Sequence, residues 1–319
     1  MKKRAFTLLE LTFVILILGI VSSIAASVLS KIYENHLIQR SIHQLSVNTE
    51  LAAEQIANRL QFSIPMLVVA RNPNDWSETR ELWKAINTAE DENKTVLEWI
   101  GYDNDSFSAN TTPGWSGFAD LNSSLSSPHH SIRTPGSDLS LTDTIMQNLS
   151  HNDVSTTAGD RPILLFSGDI QFTVEGGGIG NAFSRASCLG LGTDITDINC
   201  SIPITTSHFA NAHDRINFTK PGAINMGEFY KLAWSAYALV PSAAHTDGTF
   251  DLWLHSNYQP WLNEKYNQTT TKKNMLIPNV VSFKFMESVG TLRFKLCARS
   301  YITGLTDSVT SCKEKVISR

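Results

Sequence analysis

The chain has 319 residues, of which 42% are hydrophobic and 18% are charged. This length and apolar content are sufficient for one large domain or two smaller domains with a sizeable core. The formal net charge is −4, and an acidic chain is not suited to binding a phosphate backbone, so we expect no nucleic acid among its main partners.

The chain begins with a short basic segment that is followed by a long apolar run. Three basic residues at positions 2–4 precede Ala5, and the apolar run extends from Phe6 to about Leu29. As a helix that rises 1.5 Å per residue, this run is roughly 35 Å long, which is enough to cross a bilayer. The positive-inside rule places the basic residues in the cytoplasm and the rest of the chain outside it.

One acidic residue interrupts the apolar run. Glu10 lies within the first turns of the predicted membrane helix, where an acid costs a few kcal/mol and therefore requires a partner or a function. A positive amine from another subunit would stabilise it. A secretory signal cleaved near Ala25 or Ala26 and a plain single-span anchor are two alternative interpretations, but neither accounts for Glu10.

The basic segment, Ala5, the sequence Phe-Thr-Leu-Leu-Glu-Leu and the aliphatic run together resemble the class III signal of type IV pilins and type II secretion pseudopilins. The resemblance implies that a prepilin peptidase cleaves between Ala5 and Phe6 and that Phe6 is then N-methylated. It also implies that Glu10 pairs with the N-terminal amine of a neighbouring subunit. Ala5 replaces the commoner Gly of the family, and Ser27 stands where many pilins have a helix-kinking Pro.

The resemblance implies a fold, a set of partners and a location. The fold is α+β, with a long N-terminal helix packed on an antiparallel β-sheet head. The partners are the prepilin peptidase, other pilins or pseudopilins, an inner-membrane assembly platform and membrane lipid. The chain would cross the inner membrane once with its head in the periplasm, and would enter a pilus or pseudopilus on assembly.

The helix is predicted to continue beyond the membrane. Between Ile20 and Ile64 there is no Gly or Pro, and mostly apolar residues recur every three or four positions, which places them on one face of a helix. That face consists of Ile38, Ile42, Leu45, Thr49, Ala52, Ile56 and Leu60. We expect it to pack on the head and Pro65 to end the helix.

The predicted divisions are a leader at 1–5, a transmembrane part at 6–29, an amphipathic part at 30–64 and a head at 65–319.

The head is predicted to be rich in β-strands. Asp75 opens a capping-box pattern that predicts a short helix to Ile86, and residues 103–160 have few aliphatic side chains, which predicts a loop-rich insertion. In the last predicted hairpin, Val281, Phe283 and Phe285 alternate with polar residues and should share one face. Strands are predicted at 96–100, 162–166, 170–174, 232–240, 250–254, 280–285 and 291–297, and residues 66–70 form either a strand or the last helical turn.

Four cysteines suggest two disulfides outside the cytoplasm, and three pairings are open. They are Cys188, Cys200, Cys297 and Cys312. The local pairing would close two short loops, each worth about 3 kcal/mol in the chain-entropy model, and free buried thiols are the alternative. The pilin resemblance favours a disulfide-closed loop near the C-terminus.

The sequence contains no catalytic motif and no metal-ligand spacing, so we expect neither an enzyme nor a metal site or other cofactor. Calcium is the one cation left open. Asp103, Asn104 and Asp105 begin like an EF-hand loop, but Ser108 and Gly114 stand where Gly and Glu are expected.

Two functions follow from this reading. The first is a minor pilin or pseudopilin, a structural subunit near the tip or in the initiation complex, because a large head repeated at every position would crowd a thin fibre. The alternative is a membrane-anchored adhesin or binding module that uses the stem as a carrier. Exposed tryptophans would favour the alternative, and the candidates are Trp76, Trp83, Trp99 and Trp115.

Overall fold

The computed structural model describes residues 7–83, 92–108, 110–127, 130–157, 159–166, 185–192, 201–206, 213–218, 226–288, 290–302 and 307–318. A single helix, α1, occupies Leu8–Gln61, and an antiparallel sheet follows it. This arrangement confirms the predicted α+β architecture.

The helix face predicted to pack on the head, from Ile38 to Leu60 and here called the stripe, is buried only along its C-terminal part. The buried residues are Leu45, Thr49, Ala52, Ala53, Ile56 and Leu60. Ile42 lies on the same face but is 49% exposed. The stripe therefore extends beyond the surface that the head covers.

The helix ends at Gln61, three residues before the predicted end at Ile64. The next strand, β1 (Ser63–Arg71), includes Pro65. Its pairing shifts register between Ser63 and Val68. An irregularity of this kind is one of the few places where a strand accepts Pro. Pro65 therefore belongs to the first residues of β1, and the helix ends four residues before it.

Eight antiparallel strands form the first sheet, in the order β13-β12-β11-β10-β9-β3-β1-β2. Besides β1, they are β2 (Thr79–Glu81), β3 (Val96–Gly101), β9 (Ser235–Pro241), β10 (Phe250–Ser256), β11 (Lys272–Ser288), β12 (Thr291–Tyr301) and β13 (Ser308–Ser318). In the part of the chain that the structure describes, a 3₁₀ turn at Pro260–Leu262 lies between β10 and β11.

Five shorter strands form a second antiparallel sheet, in the order β4-β7-β6-β5-β8. They are β4 (Ser131–Arg133), β5 (Ile163–Phe166), β6 (Ile202–Thr206), β7 (Arg215–Phe218) and β8 (Tyr230–Ala233), and the helices α2 (Asn104–Phe107), α3 (Leu139–Ser150) and α4 (Arg185–Cys188) lie in the same part of the chain. All of these elements lie between β3 and β9, which are neighbours in the first sheet. The second sheet is thus an insertion between two paired strands.

The two sheets, α1 and α3 form successive layers. In β1, Val68 and Ala70 pack in the core beneath α1, whereas Val69 packs in the core that faces the second sheet. In β5, Leu165 shares that middle core and Leu164 faces a third core. Strands buried on both faces explain the continuous apolar runs of β1 and β5.

The C-terminal hairpin of β11 and β12 confirms the predicted pairing, with one difference. Phe283 is buried opposite Leu296. Val281, which was predicted to share the face of Phe283, is exposed because the register shifts between Val280 and Ser282. Val280 takes the inward position in its place, and this bulge could not be read from alternation alone.

Two other predictions need correction. The predicted helix that starts at Asp75 is absent as far as Trp83, and residues 84–91 lie outside the described part. The Asp75 side chain instead accepts hydrogen bonds from the backbone N–H and the hydroxyl of Ser77, and strand β2 follows. The predicted loops at 103–160 include β4 and the 12-residue α3. Asp138 caps α3, and Leu139 and Met146 supply its buried face. The predicted strand at 170–174 lies outside the described residues.

A fully buried ion pair joins the first sheet to the chain that covers it. Arg71 of β1 donates from Nε to Glu98 of β3 at 2.7 Å, and the two side chains are 0% and 1% exposed. The remaining Arg71 donors bond the backbone oxygens of Trp76 at 2.9 Å and Leu191 at 2.8 Å. Tyr258 donates to the second oxygen of Glu98 at 3.0 Å. This one guanidinium–carboxylate pair therefore links the chain from β1 to Trp76, strand β3, and the segments that contain Leu191 and Tyr258.

We expect Arg71→Ala to lower the free energy of unfolding by about 3–5 kcal/mol, because Glu98 would remain buried without its counter-charge. Denaturant unfolding of the full chain in detergent, followed by far-UV circular dichroism, measures this change. Arg133→Ala is the matched control, since the Arg133–Asp214 pair is partly exposed and should be worth less than about 1 kcal/mol. Equal losses in the two variants would contradict the central role of Arg71.

Asp103 is a second buried charge. It caps α2, accepts a hydrogen bond from the backbone N–H of Ser106 at 3.2 Å and also bonds the Ser106 hydroxyl. Burial raises the pKa of the Asp103 carboxyl from 3.8 to about 7. The stability that it contributes is therefore fully present below about pH 4 and is lost as the pH rises through about 7.

We expect the wild-type head to lose about 3 kcal/mol of stability between about pH 5 and pH 8, and Asp103→Asn to lose much less. Asn retains the helix cap without a charge to bury. Melting temperatures across this range measure the difference, with Glu92→Gln, a change of an exposed acid elsewhere in the head, as the control. A pH profile of Asp103→Asn that matches the wild type would rule out Asp103 as the titrating group.

Candidate functional site: the N-terminal stem and its contact with the head

The N-terminal end of α1 is held by a capping box. Thr7 is the N-cap, and its hydroxyl oxygen accepts a hydrogen bond from the backbone N–H of Glu10 at 3.4 Å. In return, Oε2 of Glu10 accepts from the Thr7 backbone N–H at 3.1 Å and from the Thr7 hydroxyl at 3.0 Å. The Glu10 carboxylate thus lies beside the positive end of the helix dipole.

Sequence reasoning identified Glu10 by its charge but missed Thr7. The signal was present, because Thr-Leu-Leu-Glu is the spacing of a capping box. Ala5 and Phe6, between which cleavage is predicted, lie outside the described residues. The cleavage site and its methylation therefore stay predictions from the sequence.

The N-terminal part of α1 presents apolar side chains in every direction. Its most apolar window has a mean hydropathy of 2.5, and the other described residues bury none of that window. By length and composition, this helix can cross a membrane. Two of its hydroxyls bond to their own helix, since Thr12 and Ser27 donate to the backbone oxygens of Leu9 and Ile24. The helix runs without a break through Ser27.

The head is separated from the apolar segment by a length of bare helix. Residues 30–44 of α1 are exposed or half-buried, and burial begins at Leu45. These fifteen residues extend roughly 22 Å at the usual helical rise. The helix therefore carries the head at a distance from the segment that would lie in lipid.

Acidic residues of α1 pair with lysines of β13 at the edge of the first sheet. Nζ of Lys315 lies 2.5 Å from Oε1 of Glu50 and also contacts Glu54, and Lys313 lies 3.2 Å from Glu50. The hydrogen bonds from Lys315 and Lys313 lower the pKa of the Glu50 carboxyl. Glu50 and Glu54 are four residues apart and share one helix face. These pairs connect α1 to β13, but they are partly exposed to solvent and therefore add little stability.

The strand that carries these lysines is closed by a disulfide. Cys297 of β12 and Cys312 of β13 are directly opposite in the ladder, with their Cα atoms 4.0 Å apart. Of the other two cysteines, Cys188 ends α4 and its side chain is not described, and Cys200 lies outside the described residues. The structure therefore assigns one of the two disulfides that the cysteine count suggested.

The loop at Asp103, which the sequence left open for calcium, is arranged differently from an EF-hand. Asp103 is buried and bonds Ser106, while Asp105 lies in the short helix α2. Among the described residues, no three His, Cys, Asp or Glu side chains are grouped so that they could hold a metal ion.

The comparisons with known proteins find a match for the N-terminal part of the stem and none for the head. Residues 1–26 match the family model described as the prokaryotic N-terminal methylation motif. The chain matches no curated protein and no solved structure. The match shows that the chain carries the type IV pilin and pseudopilin signal. Such a signal implies processing by a prepilin peptidase, anchoring in a membrane and assembly with other pilin subunits.

We expect the double variant Cys297→Ser and Cys312→Ser to lower the free energy of unfolding by about 3 kcal/mol, because the bond closes a 15-residue separation in the chain. Thermal unfolding with and without reductant measures the effect. Reductant should lower the melting temperature of the wild type and should change that of the variant much less. No difference between oxidised wild type and variant would show that the β12–β13 ladder needs no crosslink.

Proposed function

We propose that this protein is a minor pilin or minor pseudopilin, a structural subunit that places its head near the tip of a type IV pilus or type II secretion pseudopilus. The observation that carries the proposal is the methylation motif at residues 1–26, followed by a 54-residue helix whose apolar window is not covered by its own head. An uncovered apolar helix requires lipid or the helices of other subunits.

Assembly would use the Glu10 carboxylate. Cleavage after Ala5 would create a new amine at Phe6, and in the fibre this amine would approach Glu10 of an adjacent subunit. The capping box holds Glu10 near the start of the helix with two hydrogen bonds from Thr7. A carboxylate has about four acceptor positions, so a neighbour's amine can bind without breaking the cap. In the low dielectric of a helix bundle, such a pair is geometrically selective.

The size of the head supports a minor subunit. Among the described residues, a sheet of eight strands packs on the C-terminal part of α1, and a second sheet of five strands forms a further layer beyond it. The second sheet is added between β3 and β9, and it increases the bulk that each subunit would bring to a fibre. We propose that such a head is accommodated at few positions. The same proposal places the basic N-terminus in the cytoplasm and the head in the periplasm.

The tryptophans do not favour the adhesin alternative. Trp99 is 0% exposed and Trp115 is 2% exposed, and both belong to hydrophobic cores. Trp76 is half-buried and stacks on Tyr266. Trp83 is the most exposed of the four. Most of this set therefore stabilises the head. Since the sequence contains no catalytic motif, we propose that the protein is not an enzyme.

The first test concerns processing. Mass spectrometry of the N-terminal peptide, from membranes of cells with and without the prepilin peptidase, should find a chain that begins at methylated Phe6 only when the peptidase is present. A chain that begins at Met1 in both strains, or one cut near Ala25 or Ala26, would contradict the proposal.

The second test concerns assembly. We expect Glu10→Val to be processed normally but to be lost from sheared fibres, because its carboxylate can no longer pair with an amine. Glu34→Val, an exposed acid in the same helix beyond the membrane, is the matched control and should still be incorporated. Quantitative mass spectrometry of the fibres measures both variants and the copy number. Wild-type protein in amounts equal to the main subunit would show that it is not a minor component.

A further inference from the structure

A cavity of about 410 Å³ lies between the chain that joins α3 to β5 and the chain that joins β10 to β11. Its lining is acidic. Asp153 and Asp160 come from the chain between α3 and β5, and Glu264 follows the 3₁₀ turn. The described residues that line it include no Lys, Arg or His. The cavity therefore has three carboxylates without a basic side chain among them.

A buried amide in the same lining has an unsatisfied acceptor. Gln259 is 1% exposed, and its Nε2 donates to the backbone oxygen of Trp234 at 2.9 Å. Its Oε1 has no hydrogen-bond partner among the described residues. A buried acceptor left unpaired costs about 1–3 kcal/mol. This oxygen has almost no accessible surface, so a donor in the cavity would pair with it after a shift of the Gln259 side chain.

The carboxylates are fixed in position but retain free acceptor positions. Asp153 accepts a hydrogen bond from Nδ2 of Asn257 at 2.9 Å, and Glu264 accepts from the backbone N–H of Gln259 at 2.7 Å. Each bond occupies only part of the acceptor capacity of a carboxylate. For Asp160, we find no hydrogen bond from the described residues to its carboxylate.

Ionisation of Asp160 and Glu264 is less favourable here than in water. Burial, and then the nearby charge of Asp153, raise the pKa of the Asp160 carboxyl. Burial, with the charges of Asp160 and Asp153, also raises the pKa of the Glu264 carboxyl. A bound cation would favour the ionised forms of both carboxyls, so it would release protons on binding and bind more weakly as the pH falls.

We propose that this cavity binds a guanidinium group, such as the side chain of an arginine carried by a protein partner. A bare metal ion fits less well, because the acids surround a space and do not converge as a metal-ligating group. Guanidinium is planar, offers five donors and is weakly hydrated, and it therefore suits several acceptors on different walls of a partly buried site. This site is independent of the assembly role proposed for the stem.

Isothermal titration calorimetry of the full chain in detergent tests the proposal. The probes are the capped peptide Gly-Gly-Arg-Gly-Gly, the same peptide with neutral citrulline in place of Arg, methylguanidinium and calcium chloride. We expect saturable binding of the Arg peptide and none of the citrulline peptide, which has the same shape without the charge. Binding of methylguanidinium alone would keep the guanidinium site but assign it to a free small molecule and not to a protein partner.

Asp160→Asn and Glu264→Gln should each weaken binding of the Arg peptide by at least about tenfold, because each removes a charge-assisted acceptor. Glu92→Gln, an exposed acid outside the cavity, is the control and should leave binding unchanged. Melting temperatures confirm that the variants fold, which we expect because neutral amides replace carboxylates that are costly to ionise. Equal binding of the two peptides, no binding of either guanidinium probe to folded protein, or calcium binding in place of the Arg peptide would overturn the proposal.

Discussion

The rest of the structure depends on the burial of one face of α1 on the first sheet. A helix with the apolar surface of Leu45 to Leu60 cannot remain exposed to water without a large free-energy cost. The sheet removes this face from water with the inward side chains of β1, β3 and β9–β13. The opposite end of the same helix remains bare, with an apolar window that the head leaves uncovered. One continuous helix thus packs on the head at its C-terminal part and presents an apolar surface suited to lipid at its N-terminal part, with the uncovered residues 30–44 between the two.

The layers beyond the first sheet are tied to it by polar chemistry as well as by apolar packing. The Arg71–Glu98 pair lies in the middle core and reaches the backbone at Trp76 and Leu191. A buried ion pair is a weak source of net stability, but it tolerates few alternative arrangements. The indole of Trp76 lies over the same guanidinium at 4.0 Å. We regard this pair as the group that fixes how the inserted segment lies on the sheet, whereas the apolar residues supply most of the free energy.

Much of the fold could be predicted from the sequence, and the failures have physical causes. The long helix and the last hairpin follow from strong periodicity, because their inward residues are nearly all apolar. Strand β13 was missed because its helix-facing positions include Lys313 and Lys315, whose aliphatic stems cover the sheet while their ammonium groups reach Glu50. The capping pattern at Asp75 closes only a turn, since Ser77 satisfies its carboxylate locally. In the candidate site, Glu10 was identified because a charge within an apolar run is visible in the sequence. The acidic cavity in the head could not be predicted in this way, because it brings together residues more than a hundred positions apart.

The pairing of α1 with β13 also has a consequence for how the head is made. The first and the last of the described elements, α1 and β13, lie against each other, and β12, the neighbour of β13 in the sheet, also contacts α1 and is nearly as late in sequence. Long-range contacts of this kind fold slowly, because a large loop must close before they form. If the stem is anchored first, its apolar stripe stays uncovered until almost the whole chain has been delivered to the same side of the membrane. Until β12 and β13 are in place, the part of the α1 face that they cover stays exposed to water, and an exposed apolar face favours aggregation of a partly folded chain.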